Sequence, residues 1–359
     1  MTTITKGQAL CMFYLESYTE ENVMKLTETL EEMGNLEICY LDDPTEPVLA
    51  HKLVIKHRPF RYHTYIDKID TSATDNESST TQSPYLTNVA QLIQFLNIVY
   101  LAHNPDNNEV YEYKDVTMKQ VLNTVWNYCD LFDKKTLYSF GKWCSDQKLD
   151  FLLASTKRKS LGNDESIRAR PLYVMKAEYL DDIATKLVQY LPQYQNYIRA
   201  LKDDGYTLIG YIRKSPGPES TETRVNLLRS MCKSLEGRSL VDFVFASYSC
   251  RASDPIEERD TKPNEAMKQL NVSGHTQDMI ELISKKTNVC LVALDHAGFS
   301  TNCADIQRFL CSHPQIKKII IDLLPYTNET IIYDRRHLLD DPKNLKVFDC
   351  RRASYQRSK

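Results

Sequence analysis

Tyr206-Thr-Leu-Ile-Gly-Tyr-Ile-Arg-Lys-Ser215 decides the reading of the C-terminal half of this chain. Its apolar run, Leu208 to Ile212, has the length and composition of a buried strand. Pro216-Gly-Pro218 follows. Two prolines around a glycine neither extend a strand nor sit inside a helix, so the chain turns there. A polar segment of helical period starts at Glu219. The order strand, turn, helix places Ser215 just past a strand's carboxyl end, the edge at which open α/β sheets collect ligands. Arg213 and Ser215 are two residues apart, so on an extended strand end they point the same way. A guanidinium beside a hydroxyl suits attack on a phosphodiester, because the cation grips phosphate oxygens and stabilises charge as it develops. The same residues fit a plainer arrangement, which the pattern alone favours: Ser215 caps the next helix and Arg213 is a solvated strand end.

Outward from this stretch the period is β-α-β. Leu228, Met231, Cys232 and Leu235 make a helical stripe, and Leu240 to Ser247 is the next strand. Ser249 to Pro263 is a polar loop rich in Arg, Asp and Glu. Met279 to Ile283 belongs to a helix leading into the strand Val289 to Leu294. A short helix near Ala304–Cys311, a strand Lys318–Asp322 and one more at Glu329–Tyr333 complete a parallel α/β pattern.

Two blocks in this region resemble the catalytic domain of the serine recombinases (the resolvase/invertase family). Gly210-Tyr-Ile-Arg-Lys-Ser215 is similar to its opening strand, G-Y-x-R-x-S, and Leu294-Asp-His-Ala-Gly-Phe299 to a later strand end, L-D-R-L-x-R. The resemblance covers about residues 206–334. It implies a resolvase-like parallel sheet flanked by helices and a serine that attacks a DNA phosphate, leaving a phosphoserine and a free 3′-hydroxyl. It implies no metal and no cofactor. Ser215 takes the place of the nucleophile, Arg213 of the first arginine, and Asp295 of an aspartate that orients the arginines or moves a proton. Two family arginines are replaced, by His296 and Phe299. Two family glutamines fall on Glu219, which repels phosphate, and Arg224, which supplies a cation. The family's loop arginine corresponds to Arg251 or Arg259. Losing one transition-state donor costs about 10²–10³ in rate, so weakened or lost strand cleavage is expected. The alternative is a non-catalytic interaction or scaffold protein on the same fold.

The remaining chain divides by composition. Residues 1–70 read as a small α/β unit, with Gln8–Tyr14 strand-like, a capping box at Ser17-x-x-Glu20, a helix ending at Gly34, and strands at Leu36–Leu41 and Val48–Ile55. His57-Arg-Pro-Phe-Arg-Tyr-His63 is basic and aromatic. Residues 71–84 lack any large apolar side chain and read as a linker. Residues 85–204 read as mostly helical, a candidate DNA-binding head, with Pro192 ending or kinking the last helix. Lys157, Arg158 and Lys159 mark its best phosphate patch, although a charge run of this kind more often belongs to a solvated loop. Residues 335–359 read as a basic tail, too short and too interrupted by Pro342 for a long helix.

The 359 residues carry a net charge of −3, so nucleic-acid binding has to use local patches. Ten scattered cysteines without a C-x-x-C pair argue against a zinc ribbon and for a reduced, intracellular setting, nucleus or cytoplasm. No secretory leader or membrane span is expected. The partner implied by the resemblance is DNA, with a homo-oligomer as a further candidate.

Overall fold

The computed structural model describes residues 3–68, 84–160, 166–262 and 264–350. The chain is mixed α/β and divides into two compact units, Met1–Tyr190 and Leu191–Lys359.

The N-terminal unit begins with α1 (Lys6–Tyr14) and α2 (Glu20–Glu32). They pack on an antiparallel sheet of order β2-β1-β3, formed by β1 (Leu36–Tyr40), β2 (Val48–His51) and β3 (His63–Thr64). Gln8–Tyr14 is therefore helix and not strand. Thr5 and Gln8 form a reciprocal capping box, which fixes the helix start over a short apolar run whose period is ambiguous. The cap of α2 is Thr19, which accepts from the Asn22 N–H, two residues beyond the expected Ser17. The expected strand Val48–Ile55 keeps its first half. Its second half becomes α3 (Lys52–His57), where the His51 ring accepts from the Leu53 N–H.

The rest of this unit holds α4 (Val89–Val99), β4 (Tyr100–Leu101), β5 (Tyr111–Thr117), α5 (Met118–Tyr128), α6 (Leu137–Asp146), β6 (Lys157–Ser160) and β7 (Ser166–Met175). The expectation of a mostly helical region is corrected here: β4, β5 and β6 all pair antiparallel with β7 in a four-stranded sheet. Lys157 to Ser160 is a strand and not a loop. The sheet was hidden because β5 exposes four consecutive residues, Glu112 to Asp115, and so shows no apolar alternation. The linker expected at 71–84 lies, except for Pro84, outside the described residues. The segments before and after it are joined by Lys186 Nζ donating to the Tyr65 carbonyl (2.7 Å) and by Gln8 and Asn107 exchanging bonds of 3.1 and 3.0 Å. Helix α7 (Leu180–Asp203) continues through Pro192. Ile183, Ala184 and Leu187 are buried before it, and Tyr194, Ile198 and Leu201 after it, which offsets the roughly 3 kcal/mol that an interior proline costs.

The C-terminal unit carries the sheet that positions the site. Its strands are β8 (Thr207–Arg213), β9 (Phe243–Ser247), β10 (Val289–Ala293), β11 (Ile316–Asp322) and β12 (Thr330–Asp334). The order is β12-β11-β10-β8-β9, with the first four strands in chain order parallel and β12 antiparallel at the edge. Counted within the unit from the β9 side this is 2-1-3-4-5, a doubly wound order whose direction reverses between β8 and β10. Helices α8 (Thr221–Arg238), α9 (Thr276–Ser284), α10 (His296–Phe299) and α11 (Cys303–Ser312) alternate with the strands. Six consecutive residues of β8, Leu208 to Arg213, are buried, as expected of a parallel strand covered on both faces. Gly210 is required there: a Cβ would stand 2.9 Å from Leu235 Cδ1 and 3.2 Å from Val241 Cγ2.

After the short helix α12 (Leu324–Thr327) and β12 come α13 (Arg335–Asp340) and a 3₁₀ turn at Pro342–Phe348. The expected basic tail is corrected over this stretch. Leu338, Leu345 and Phe348 are buried in the core with Phe299 and Phe309. Residues 351–359 lie outside the described residues.

Candidate active site at the carboxyl edge of the C-terminal sheet

Arg213 ends β8 and is only 2% exposed. Its Nη1 donates to Ser215 Oγ at 2.9 Å and to the Cys250 carbonyl at 2.8 Å, and its Nε donates to the Ala297 carbonyl at 2.9 Å. Nη2 donates to the Ala297 carbonyl as well. The side chain expected to be a solvated strand end is thus an interior clamp joining the ends of β8 and β10 to the loop after β9. Ser215 itself is exposed and does not cap α8. Ser220 does, accepting from the Thr223 N–H at 3.2 Å. The turn is held by backbone, since the Lys214 N–H donates to the Ser247 carbonyl and the Cys250 N–H to the Lys214 carbonyl, both at 3.1 Å.

Arg224, one turn into α8, reaches back to the same turn. It is 4% exposed and donates through Nη1 to the carbonyls of Ser215 (2.8 Å) and Tyr248 (3.1 Å). Its guanidinium carbon lies 5.3 Å from the centroid of the Tyr248 ring. Its Nη2 pairs with Glu219 Oε1 at 3.0 Å, and Lys214 Nζ stands 3.6 Å from the same oxygen. The hydrogen bond from its own backbone N–H, then the charges of Arg224 and Lys214, hold the Glu219 carboxyl below the usual glutamate range against the effect of desolvation.

Asp295 follows β10, the strand beside β8. Its carboxylate accepts from the Gly298 N–H and so caps α10, the turn whose Ala297 carbonyl receives Arg213. Asp295 and Arg213 thus both hold the same turn, α10. His296 pairs through Nε2 with Tyr333 Oη at 2.9 Å and lies edge-on to Phe348. Burial pushes its pKa below the ordinary histidine value, against the pull of the Asp295 charge, so near pH 7 it does not replace an arginine. Phe299 is core.

The two loop arginines separate cleanly. Arg259 is 2% exposed and donates to the carbonyls of Ala252, Asp254 and Phe299 and to Tyr211 Oη, which corrects its reading as a phosphate contact: it pins the loop from inside. Arg251 is exposed and follows Cys250, whose carbonyl holds Arg213. Lys157 and Arg158 are exposed on β6 in the other compact unit, and the Lys159 side chain lies outside the described residues.

Comparison of the chain with protein-family models, curated proteins and solved structures finds no match. The site stands on its geometry alone. Among the described residues Ser215 Oγ has Arg213 as its hydrogen-bond partner, and no carboxylate or imidazole accepts its proton. No group of three His, Cys, Asp or Glu among them is placed to hold a metal ion, and no helix among them is long and apolar enough to cross a membrane. Residue patterns missed Lys214, Tyr248 and the carbonyls of Cys250 and Ala297. The carbonyls had no signal to find, because backbone groups carry no residue identity. Tyr248 was signalled only by following the last residue of β9.

Proposed function

We propose that the chain is a divergent, serine-recombinase-like DNA-binding protein whose Ser215 site supports little strand cleavage. The observation that carries this reading is the Arg213–Ser215 pair. It sits where the strand order reverses at the carboxyl edge of a doubly wound sheet, the general position of ligand sites in such sheets. The resolvase-like pattern of residues 206–334 adds Asp295 to the same edge.

The chemistry would be attack of Ser215 Oγ on a backbone phosphorus, with the serine proton leaving and a deoxyribose 3′-oxygen released as a hydroxyl. A guanidinium hydrogen bond favours the developing alkoxide. Two features weaken the reaction. Among the described residues no base stands ready to take the hydroxyl's proton. Arg213 directs its donors to carbonyls, and little of it reaches solvent to meet a phosphate.

The test is covalent trapping. Protein is incubated with supercoiled and gapped duplex DNA and then denatured, with Ser215→Ala as control, and binding is followed in parallel across salt. Salt-sensitive binding with little or no adduct is expected. Abundant adduct that disappears in Ser215→Ala overturns the weak-cleavage part. Absence of both adduct and binding overturns the DNA reading in favour of a non-catalytic interaction protein on this fold.

A further inference from the structure

Glu219 is an anion in a setting built of donors. Arg224 Nη2 lies 3.0 Å and Lys214 Nζ 3.6 Å from its Oε1. It directly precedes Ser220, the cap of the 18-residue helix α8, whose N-terminus carries partial positive charge. The floor is Gly217, where a Cβ would come within 2.2 Å of Glu219 Oε2. The carboxylate thus occupies space that a side chain at the exposed residue 217 would contest. Arg224 is one of the most buried cations of the unit, and the carboxylate is its acidic partner. The turn that Arg224 grips through the Ser215 carbonyl is the turn that carries the Ser215 hydroxyl.

We propose that Lys214, Arg224 and the start of α8 form a phosphate-binding cradle beside Ser215, and that Glu219 fills it as an internal substitute for the phosphate. A carboxylate and a phosphate offer the same acceptor oxygens to a guanidinium fork. While Glu219 is seated, an incoming phosphate meets a like charge and is repelled. Swinging Glu219 out turns a closed ion pair into an open anion site. The inference rests on the DNA-directed reading of this face only for the source of the phosphate, a backbone diester. The cradle itself would take any phosphate oxyanion.

The experiment measures binding of inorganic phosphate and of a short DNA duplex to the full chain by titration calorimetry. Four proteins are compared: wild type, Glu219→Ala, Gly217→Ala and the double variant Glu219→Ala/Arg224→Gln. Glu219→Ala removes both the charge and the plug. Gly217→Ala displaces the carboxylate without removing it, so it provides a second, independent opening if the first variant folds poorly. Both single variants are expected to bind phosphate at least about tenfold tighter than wild type, with the gain abolished in the double variant. A gain for phosphate without one for DNA supports the cradle and removes the DNA source. DNA binding by wild type that neither opening strengthens, with no gain for phosphate, overturns the cradle and leaves the DNA reading standing. Unchanged phosphate affinity in both single variants overturns the inference outright.

Discussion

Arg213 and Ser215 are neighbours on the same edge with opposite structural weight. Arg213 ties three chain segments through bonds to Ser215, Cys250 and Ala297, whereas Ser215 is exposed and its hydroxyl meets Arg213. Arg213→Ala is expected to destabilise the C-terminal unit by about 2–4 kcal/mol, since it opens a buried gap and leaves carbonyls unpaired. Ser215→Ala is expected to cost less than about 1 kcal/mol. Urea denaturation of the two variants checks the contrast, and equal losses would contradict the clamp. His296 gives a second residue-scale expectation. Its native pKa is lowered by burial, so between that value and the ordinary 6.5 the unfolded chain binds the extra proton. The stability it contributes is complete above about pH 6.5 and is lost as pH falls through the native value. Ring NMR titration should place its midpoint below 6.5, and a midpoint at or above 6.5 would refute the assignment. At this scale the Arg213–Ser215 contact was legible because two-residue spacing on a strand end fixes a shared direction. The burial of Arg213 was not, since its acceptors are carbonyls from residues 250 and 297.

Among the elements, legibility followed burial. Strands β8, β10 and β11 announce themselves as apolar runs because helices cover both faces. Strand β5 does not, with Glu112 to Asp115 all exposed, so the region around β7 carries only its helices' apolar periodicity. Helix α1 looks like a strand from its apolar run, although Thr5-x-x-Gln8 signals a helix start. That cap has a measurable weight: Thr5→Ala is expected to cost about 1 kcal/mol of the N-terminal unit's stability. Gly210 marks the close approach of α8 to β8. Gly210→Ala is expected to cost about 1–3 kcal/mol through overpacking against Leu235 and Val241. A neutral result in thermal unfolding would mean that Leu235 moves aside freely.

For the molecule as a whole, composition set broad limits well. Composition marks an ordinary globular chain, the alternation of apolar runs with helical stripes predicts α/β, and the chain is mixed α/β. Composition failed at the C-terminal segment, where charged residues mask three core positions. Leu338, Leu345 and Phe348 seal the hydrophobic interior of the C-terminal unit. A chain ending at Asp334 is expected to lose that unit's cooperative unfolding transition, and Phe348→Ala to weaken it by about 3–5 kcal/mol. A truncated chain that unfolds as cooperatively as the full one would show that the segment is dispensable. The clamp at Arg213 carries one more consequence, for descent. A guanidinium gripped by two remote carbonyls is under selection for folding whether or not any phosphate ever meets Ser215. Retention of the arginine among relatives would therefore say little about reactivity. Drift at position 215 while arginine stays fixed at 213 would mark the lineages in which the reaction had been given up and the scaffold kept.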